Sequence, residues 1–257
     1  MRILRDLQNV IASEYYKTRH DVAAKLFLFF PVLLTVAFIV YDLWNLSHEG
    51  YDGTNVWIYN IGRTLFMFYG MLYPLMVALF CAADIGKEFK NDNYLLLFLC
   101  PVPRGTVYVA KLIYLISMTF LSVLIAYVAF MLSGFILGVC LPSMGFQNFD
   151  VRILVISVFF RVFIGLLPIL VIQYVFSFLF KNYALALGFS FFMTVFSMIA
   201  SNWRYINFIP YSSILHAYSS FMQQTVYYWK SFETINISYF IVFSIVGYIL
   251  YRYKKWR

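Results

Sequence analysis

Six stretches of nearly unbroken apolar sequence alternate with shorter polar ones along this chain. They run from Ala24 to Leu43, Leu65 to Ala83, Val109 to Leu132, Ile153 to Phe180, Tyr183 to Ala200 and Ile237 to Tyr251, and the third continues apolar to Leu141. About 20 mostly apolar residues suffice for a helix to cross the hydrocarbon core of a bilayer. The pattern therefore predicts an all-α membrane protein with six transmembrane helices. The sixth segment is the shortest, and it follows an aromatic-rich approach.

Two further segments have a different pattern. In residues 1–23, Ile3, Leu4, Leu7, Val10, Ile11 and Tyr15 recur at helical spacing, with Arg2, Arg5, Asp6, Glu14 and Lys17 mostly on other faces. This predicts a helix lying on the membrane surface. More than twenty mixed polar residues precede the first apolar run and no small-residue cleavage site follows it closely, so the segment does not read as a signal peptide. The second segment is Ile85 to Leu112, IGKEFKNDNYLLLFLCPVPRGTVYVAKL. Gly86 allows the second span to end or bend. Lys87, Glu88, Lys90 and Asp92 form a charged start, Tyr94 to Leu99 is apolar but too short to cross, and Pro101 and Pro103 end any helix. Thr106 is placed to cap the helix of the third span. The expectation is a short helix parallel to the membrane.

The chain thus reads as one transmembrane domain over 1–257. It divides into an interfacial helix (1–23), spans one and two (24–83), a loop with its own helix (84–106), spans three to five (107–200), an external aromatic segment (201–236), and span six with a basic tail (237–257).

Composition supports this and charge orients it. Of 257 residues, 63% are hydrophobic and only 12% charged, where a soluble domain carries roughly 25% charged. With six spans both termini lie on one side. That side collects Arg2, Arg5, Lys17, Arg19, Lys25, Lys87, Lys90, Arg104, Lys111, Lys181, Arg252, Lys254, Lys255 and Arg257, most of the 19 Lys and Arg. The other side has Arg63, Arg152, Arg204 and Lys230. The positive-inside rule makes both termini cytoplasmic. The net charge of +8 is then a topology signal, and no soluble basic domain exists to bind nucleic acid. The cysteines Cys81, Cys100 and Cys140 are isolated, and they read as small apolar packing residues rather than a disulfide or metal framework.

Catalytic motifs are missing. No G-x-x-x-x-G-K-[ST], H-E-x-x-H or G-x-S-x-G occurs, and His20, His48 and His216 lie far apart. Asp42 and Asp84 fall near span ends, where water reaches them. The one charge well inside a span is Arg161, about eight residues or roughly 12 Å from the outer end of span four. It is shallow enough to snorkel toward an outer-loop carbonyl or lipid phosphate, or else it lines a substrate path with Gln173 and Tyr174, which serve equally as helix–helix glue.

Three stretches carry a resemblance. The first is Glu88-x-x-Asn91-x-x-Tyr94, followed by L-x-x-x-P-V-P-R and Lys111-Leu112. The others are Ser13-Glu14-Tyr15-Tyr16-Lys17-Thr18-Arg19, and Trp203 to Ala217, WRYINFIPYSSILHA. Together they resemble ABC-2-type exporter permeases, most closely the branch of lantibiotic-immunity and multidrug permeases. The resemblance implies a transport subunit that is not an enzyme and binds no cofactor. ATP and Mg would sit on a separate cytoplasmic ABC ATPase dimer, and a second permease copy or related permease would complete the exporter. It also implies a multi-pass protein of the cell membrane. Gly86 to Phe98 would be the coupling helix. Lys87, Glu88, Phe89, Lys90, Tyr94 and Arg104 would meet the ATPase, and Glu14 and Lys17 of the surface helix would add to the same docking face.

On the external side, loop one-two is acidic, with His48, Glu49 and Asp52, and Trp203 to Phe232 is aromatic. The aromatic segment reads as short helices at or dipping into the outer interface. It would be a gate marked by Trp203, Pro210 and Tyr211, or else an aromatic belt that anchors the protein. Such a face suits an amphipathic peptide, a hydrophobic drug or a lipid-linked intermediate. Two other classes stay open at this point. One is a stand-alone secondary transporter or channel using Arg161 with Gln173, and the other is an assembly or sensor subunit without transport.

Overall fold

The computed structural model describes residues 2–19, 21–46, 55–58, 68–89, 102–180, 183–223 and 229–253. Eight α-helices organise them: α1 Arg2–Thr18, α2 Val22–Leu46, α3 Gly70–Phe89, α4 Arg104–Cys140, α5 Arg152–Phe180, α6 Tyr183–Ile199, α7 Ser213–Met222 and α8 Ser231–Tyr253. Six of these, α2 to α6 and α8, are long and apolar enough to cross a membrane. They coincide with the six apolar runs of the sequence.

The boundaries differ where tertiary structure overrides local signals. Helix α3 does not stop or bend away at Gly86 but runs through it to Phe89. Helix α4 starts earlier than the apolar run, at Arg104, with Pro103 as its N-cap and no side-chain cap. Thr106 is therefore not a cap: it lies inside the first turn, its amide donating to the Pro103 carbonyl at 2.9 Å. Proline suits this position because its missing donor would have been unsatisfied there anyway. The sixth span is a full-length helix, since α8 recruits the polar Ser231–Asn236 turn ahead of the apolar run.

Helix α5 is the hub. It is apolar all round, the mark of a helix surrounded by protein, and 72% of its most apolar stretch is buried. Helices α3, α4, α6, α7 and α8 all pack against it, while α2 lies mainly on α4 and α1 on α4. The peripheral α8 is only 17% buried over its apolar stretch. Its outward face, including Ile241, Val242, Ile245 and Ile249, is exposed, as expected of side chains whose solvent is lipid. Close approach is set by glycine at two crossings. A methyl group added at Gly247 would lie 2.3 Å from the Tyr108 hydroxyl, and one at Gly165 would lie 2.6 Å from the Ser213 Cβ. Small residues let membrane helices approach to this distance.

The stretch after α6 does not lie flat on the bundle. Three single 3₁₀ turns, Ala200–Asn202, Ile206–Phe208 and Pro210–Ser212, lead into α7. Tyr211, Ser212, Ser213, Ile214, Ala217 and Phe221 are all nearly fully buried. The segment folds back into the bundle between α5, α6 and α8. Cys81 is buried, Cys140 is exposed, and Cys100 lies outside the described residues.

Candidate functional site

Among the described residues, two clusters of buried charge stand at opposite ends of the bundle. The first is built by three helices, each of which carries one charged residue on its otherwise apolar stripe. On α1, Glu14 lies between Leu7, Val10 and Thr18 at helical spacing. On α3, Asp84 follows the buried Phe80 and Cys81, and on α4, Lys111 stands between the buried Tyr108 and Leu115. The Lys111 ammonium reaches Asp84 Oδ2 at 3.1 Å and Glu14 Oε2 at 3.6 Å, with all three side chains buried. Lys17 completes the cluster from the solvent side, donating to Glu14 Oε1 at 2.6 Å. Burial by itself would push the Glu14 carboxyl up, but Lys111 and Lys17 beside it outweigh that and hold it below the usual carboxylate range.

Hydrogen bonds extend the same seam. Thr18 donates to the Tyr114 hydroxyl at 2.7 Å, and the Tyr15 and Ser117 hydroxyls are hydrogen-bonded. Asp21, in the turn between α1 and α2, caps α2 by accepting the Ala23 amide at 2.9 Å. Its other oxygen is ion-paired with Lys87 near the end of α3.

Of the residues assigned to the ATPase contact, Glu14 faces inward. Its carboxylate is 4% exposed and engaged by Lys111 and Lys17, so it is not free on the surface as the docking reading expected. Lys17 is exposed, Lys87 is half-exposed, and Arg104 is exposed at the start of α4. Phe89 ends α3 and Glu88 lies in its last turn. Lys90 and Tyr94, like most of the expected coupling helix, lie outside the described residues. So do His48, Glu49 and Asp52 of the acidic loop.

The second polar cluster holds the folded-back segment against α5 and α8. Arg161 does not snorkel: its Nε meets Glu233 Oε1 at 3.0 Å, and both side chains are buried. Glu233 sits in the first turn of α8, and its second oxygen accepts the Lys230 amide at 2.8 Å. Burial, then the nearby Arg161 charge, hold the Lys230 ammonium below its ordinary pKa. Deeper in the bundle, the single Ser213 hydroxyl proton is shared between the Pro210 carbonyl and Asn236 Oδ1, the latter at 2.9 Å. Gln173 Nε2 donates to the Tyr211 hydroxyl at 2.6 Å. Burial pushes the Tyr211 phenol up to about 12, against the pull of its bonds to Gln173 and Ser190.

Arg161 and Gln173 are thus not one site. They stand twelve residues apart on α5, about 18 Å along its axis, and each has its own partner. Tyr174 belongs to neither, because its ring stacks on Tyr108 at 5.0 Å within an aromatic cluster with Phe178. Among the gate residues, Trp203 is half-exposed while Tyr211 is buried, and Pro210 opens the turn that places Tyr211. Sequence reading missed Glu233, Asn236, Asp84 and Lys111 as site residues. The signal for the last two was a charge occupying an apolar stripe.

Among the described residues, no group of three His, Cys, Asp or Glu side chains could hold a metal ion. Six membrane-length helices, one of them a buried hub, with polar residues spent on holding helices together, define a polytopic membrane protein. Residues 10–197, well over half the chain, match the family described as ABC-2 family transporter protein, and the chain belongs to that family. It is a transport component rather than a catalytic one, and a multi-pass protein of the plasma membrane. No curated protein and no solved structure matches the chain.

Proposed function

We propose that the chain is the permease subunit of an ABC exporter of the lantibiotic-immunity and multidrug type. Two permeases, either two copies or this chain with a relative, work with two cytoplasmic ATPase subunits that bind ATP and Mg. The observation that carries this reading is the family match over residues 10–197. The coupling loop joins the end of α3 to the start of α4 on the side of both termini, where Lys and Arg are concentrated. Glu88 and Lys90 are its charged contacts, with Phe89 or Tyr94 as apolar anchor, and Lys17, Lys87 and Arg104 border the same face.

The gate is the folded-back segment from Trp203 to Met222. Besides the apolar packing of Tyr211, Ile214, Ala217 and Phe221, two buried polar contacts hold it on the bundle, Gln173–Tyr211 and Ser213–Asn236. Gln173 Oε1 and Asn236 Nδ2 are buried without a partner. Each such group costs about 1–3 kcal/mol, which lowers the barrier to withdrawing the segment and exposing a polar path. The cargo is an amphipathic antimicrobial peptide or a hydrophobic drug, matched to the aromatic external face and the acidic loop.

The stand-alone transporter reading loses its site, since Arg161 is neutralised by Glu233 and stands far from Gln173. Replacing Glu88 with alanine tests the coupling assignment. The complex should still assemble and hydrolyse ATP, while export of the resistance substrate is lost. Normal export from a folded Glu88→Ala protein would refute it.

A further inference from the structure

The ion network between α1, α3 and α4 has a cost that its position must explain. Three charges, Glu14, Asp84 and Lys111, are nearly fully buried. Desolvating such groups commonly cancels their mutual attraction, so well-packed apolar residues would hold these helices at least as firmly. What charges supply instead is register: the contacts form only in one alignment of the three helices. The three helices concerned are also particular. The end of α3 and the start of α4 flank the 90–101 stretch; α1 touches α4 through Lys111, Tyr114 and Ser117, and the turn that follows α1 reaches α3 through the ion pair from Asp21 to Lys87. Asp84 and Lys111 join α3 to α4 directly at 3.1 Å.

We propose that this network is a positioning device that makes α1, the end of α3 and the start of α4 move as one rigid body, so that force applied between α3 and α4 reaches the bundle rather than being absorbed by sliding helices. The transmission role rests on the permease reading; the rigidity does not. Glu14, Asp84 and Lys111 are thus positioning residues, acting through helix alignment and touching no substrate. Lys87 and Asp21 tie the surface helix's exit turn to the same body.

The test uses the full chain purified from its native membrane together with the proteins that accompany it. Cys81, Cys100 and Cys140 are changed to serine, and nitroxide labels are placed on cysteines at Tyr16 and Val109. Both positions are exposed, one on α1 and one on α4. Pulsed EPR then reads the distance between them without nucleotide and with ATP plus vanadate. With the network intact we expect a single narrow distance in both conditions. In the neutral triple variant Glu14→Gln, Asp84→Asn, Lys111→Met we expect the same thermal stability but loss of the single distance, with a broad distribution that changes with nucleotide. A narrow, unchanged distance in the triple variant would overturn the proposal. So would a nucleotide-dependent shift in the intact network, which would mean that α1 moves separately. A triple variant that fails to fold would make the network structural and equally overturn it. If no ATP-hydrolysing subunit accompanies the chain, the permease reading and the transmission role fall together. The width of the distribution still decides whether the network fixes α1.

Discussion

Removing Arg161 alone is the sharpest probe of how α5 and α8 are held together. Arg161 is nearly fully buried beside Glu233, at 3.0 Å. At that distance, with an effective dielectric of about 20, the attraction is roughly 5 kcal/mol. Much of it is offset by the cost of taking both groups out of water, so the net worth of the pair is small. The cost of breaking it is not small, because Arg161→Met leaves the Glu233 carboxylate buried with its cation gone. Losing one partner of a buried pair typically costs about 3–5 kcal/mol. At about 2–4 °C per kcal/mol for a chain of this size, the midpoint should fall by about 10 °C. The double variant Arg161→Met, Glu233→Gln removes both charges and keeps an oxygen for the Lys230 amide. It should therefore recover to within about 1 kcal/mol of the parent. Thermal unfolding in a mild detergent, followed by intrinsic fluorescence, measures all three proteins. A midpoint shift of only a degree or two for Arg161→Met, or a double variant as unstable as the single one, would rule out a buried, paired Glu233.

Three further predictions follow the same geometry. Gly165→Val should destabilise by about 1–3 kcal/mol, because a side chain there meets the Ser213 Cβ at 2.6 Å; equal stability in the same unfolding assay would contradict the close approach. Tyr211→Phe removes the acceptor of Gln173 and should cost about 1–3 kcal/mol, with Gln173→Leu in the same background restoring much of it. The Glu14 carboxyl is held below its ordinary 4.5, so its contribution is fully present above that pH and is lost as pH falls through the lower folded value. Stability of the parent should fall more steeply below pH 4.5 than that of Glu14→Gln, and parallel pH profiles would refute the assignment.

The number and placement of the membrane helices were legible in the sequence because each is a long apolar run and nothing competes with lipid for it. The helix ends were less so. Thr106 looked like a cap on local grounds, but Pro103 already occupies the N-cap, and Gly86 did not interrupt α3. The charged clusters were only partly visible. Glu14 was assigned with the polar faces of the surface helix, although its spacing from Leu7 and Val10 puts it on the apolar stripe. Its partners, Asp84 and Lys111, lie far along the chain, and Glu233 is distant from Arg161, so pairing depended on how helices assemble around α5. The fold-back of Tyr211–Phe221 was hidden for the same reason. Its aromatic composition suits a membrane interface as well as a protein interior, and the choice depends on tertiary contacts such as the fit of Gly165 against Ser213.

On the permease reading, a separate ATPase drives this chain. The most direct measurement is gentle detergent purification of the tagged protein from its native membrane, with the accompanying proteins identified by mass. A stoichiometric soluble subunit carrying a P-loop should accompany it, retained by the parent and by the neutral triple variant. A chain that emerges alone at every detergent and salt concentration tried would contradict that reading.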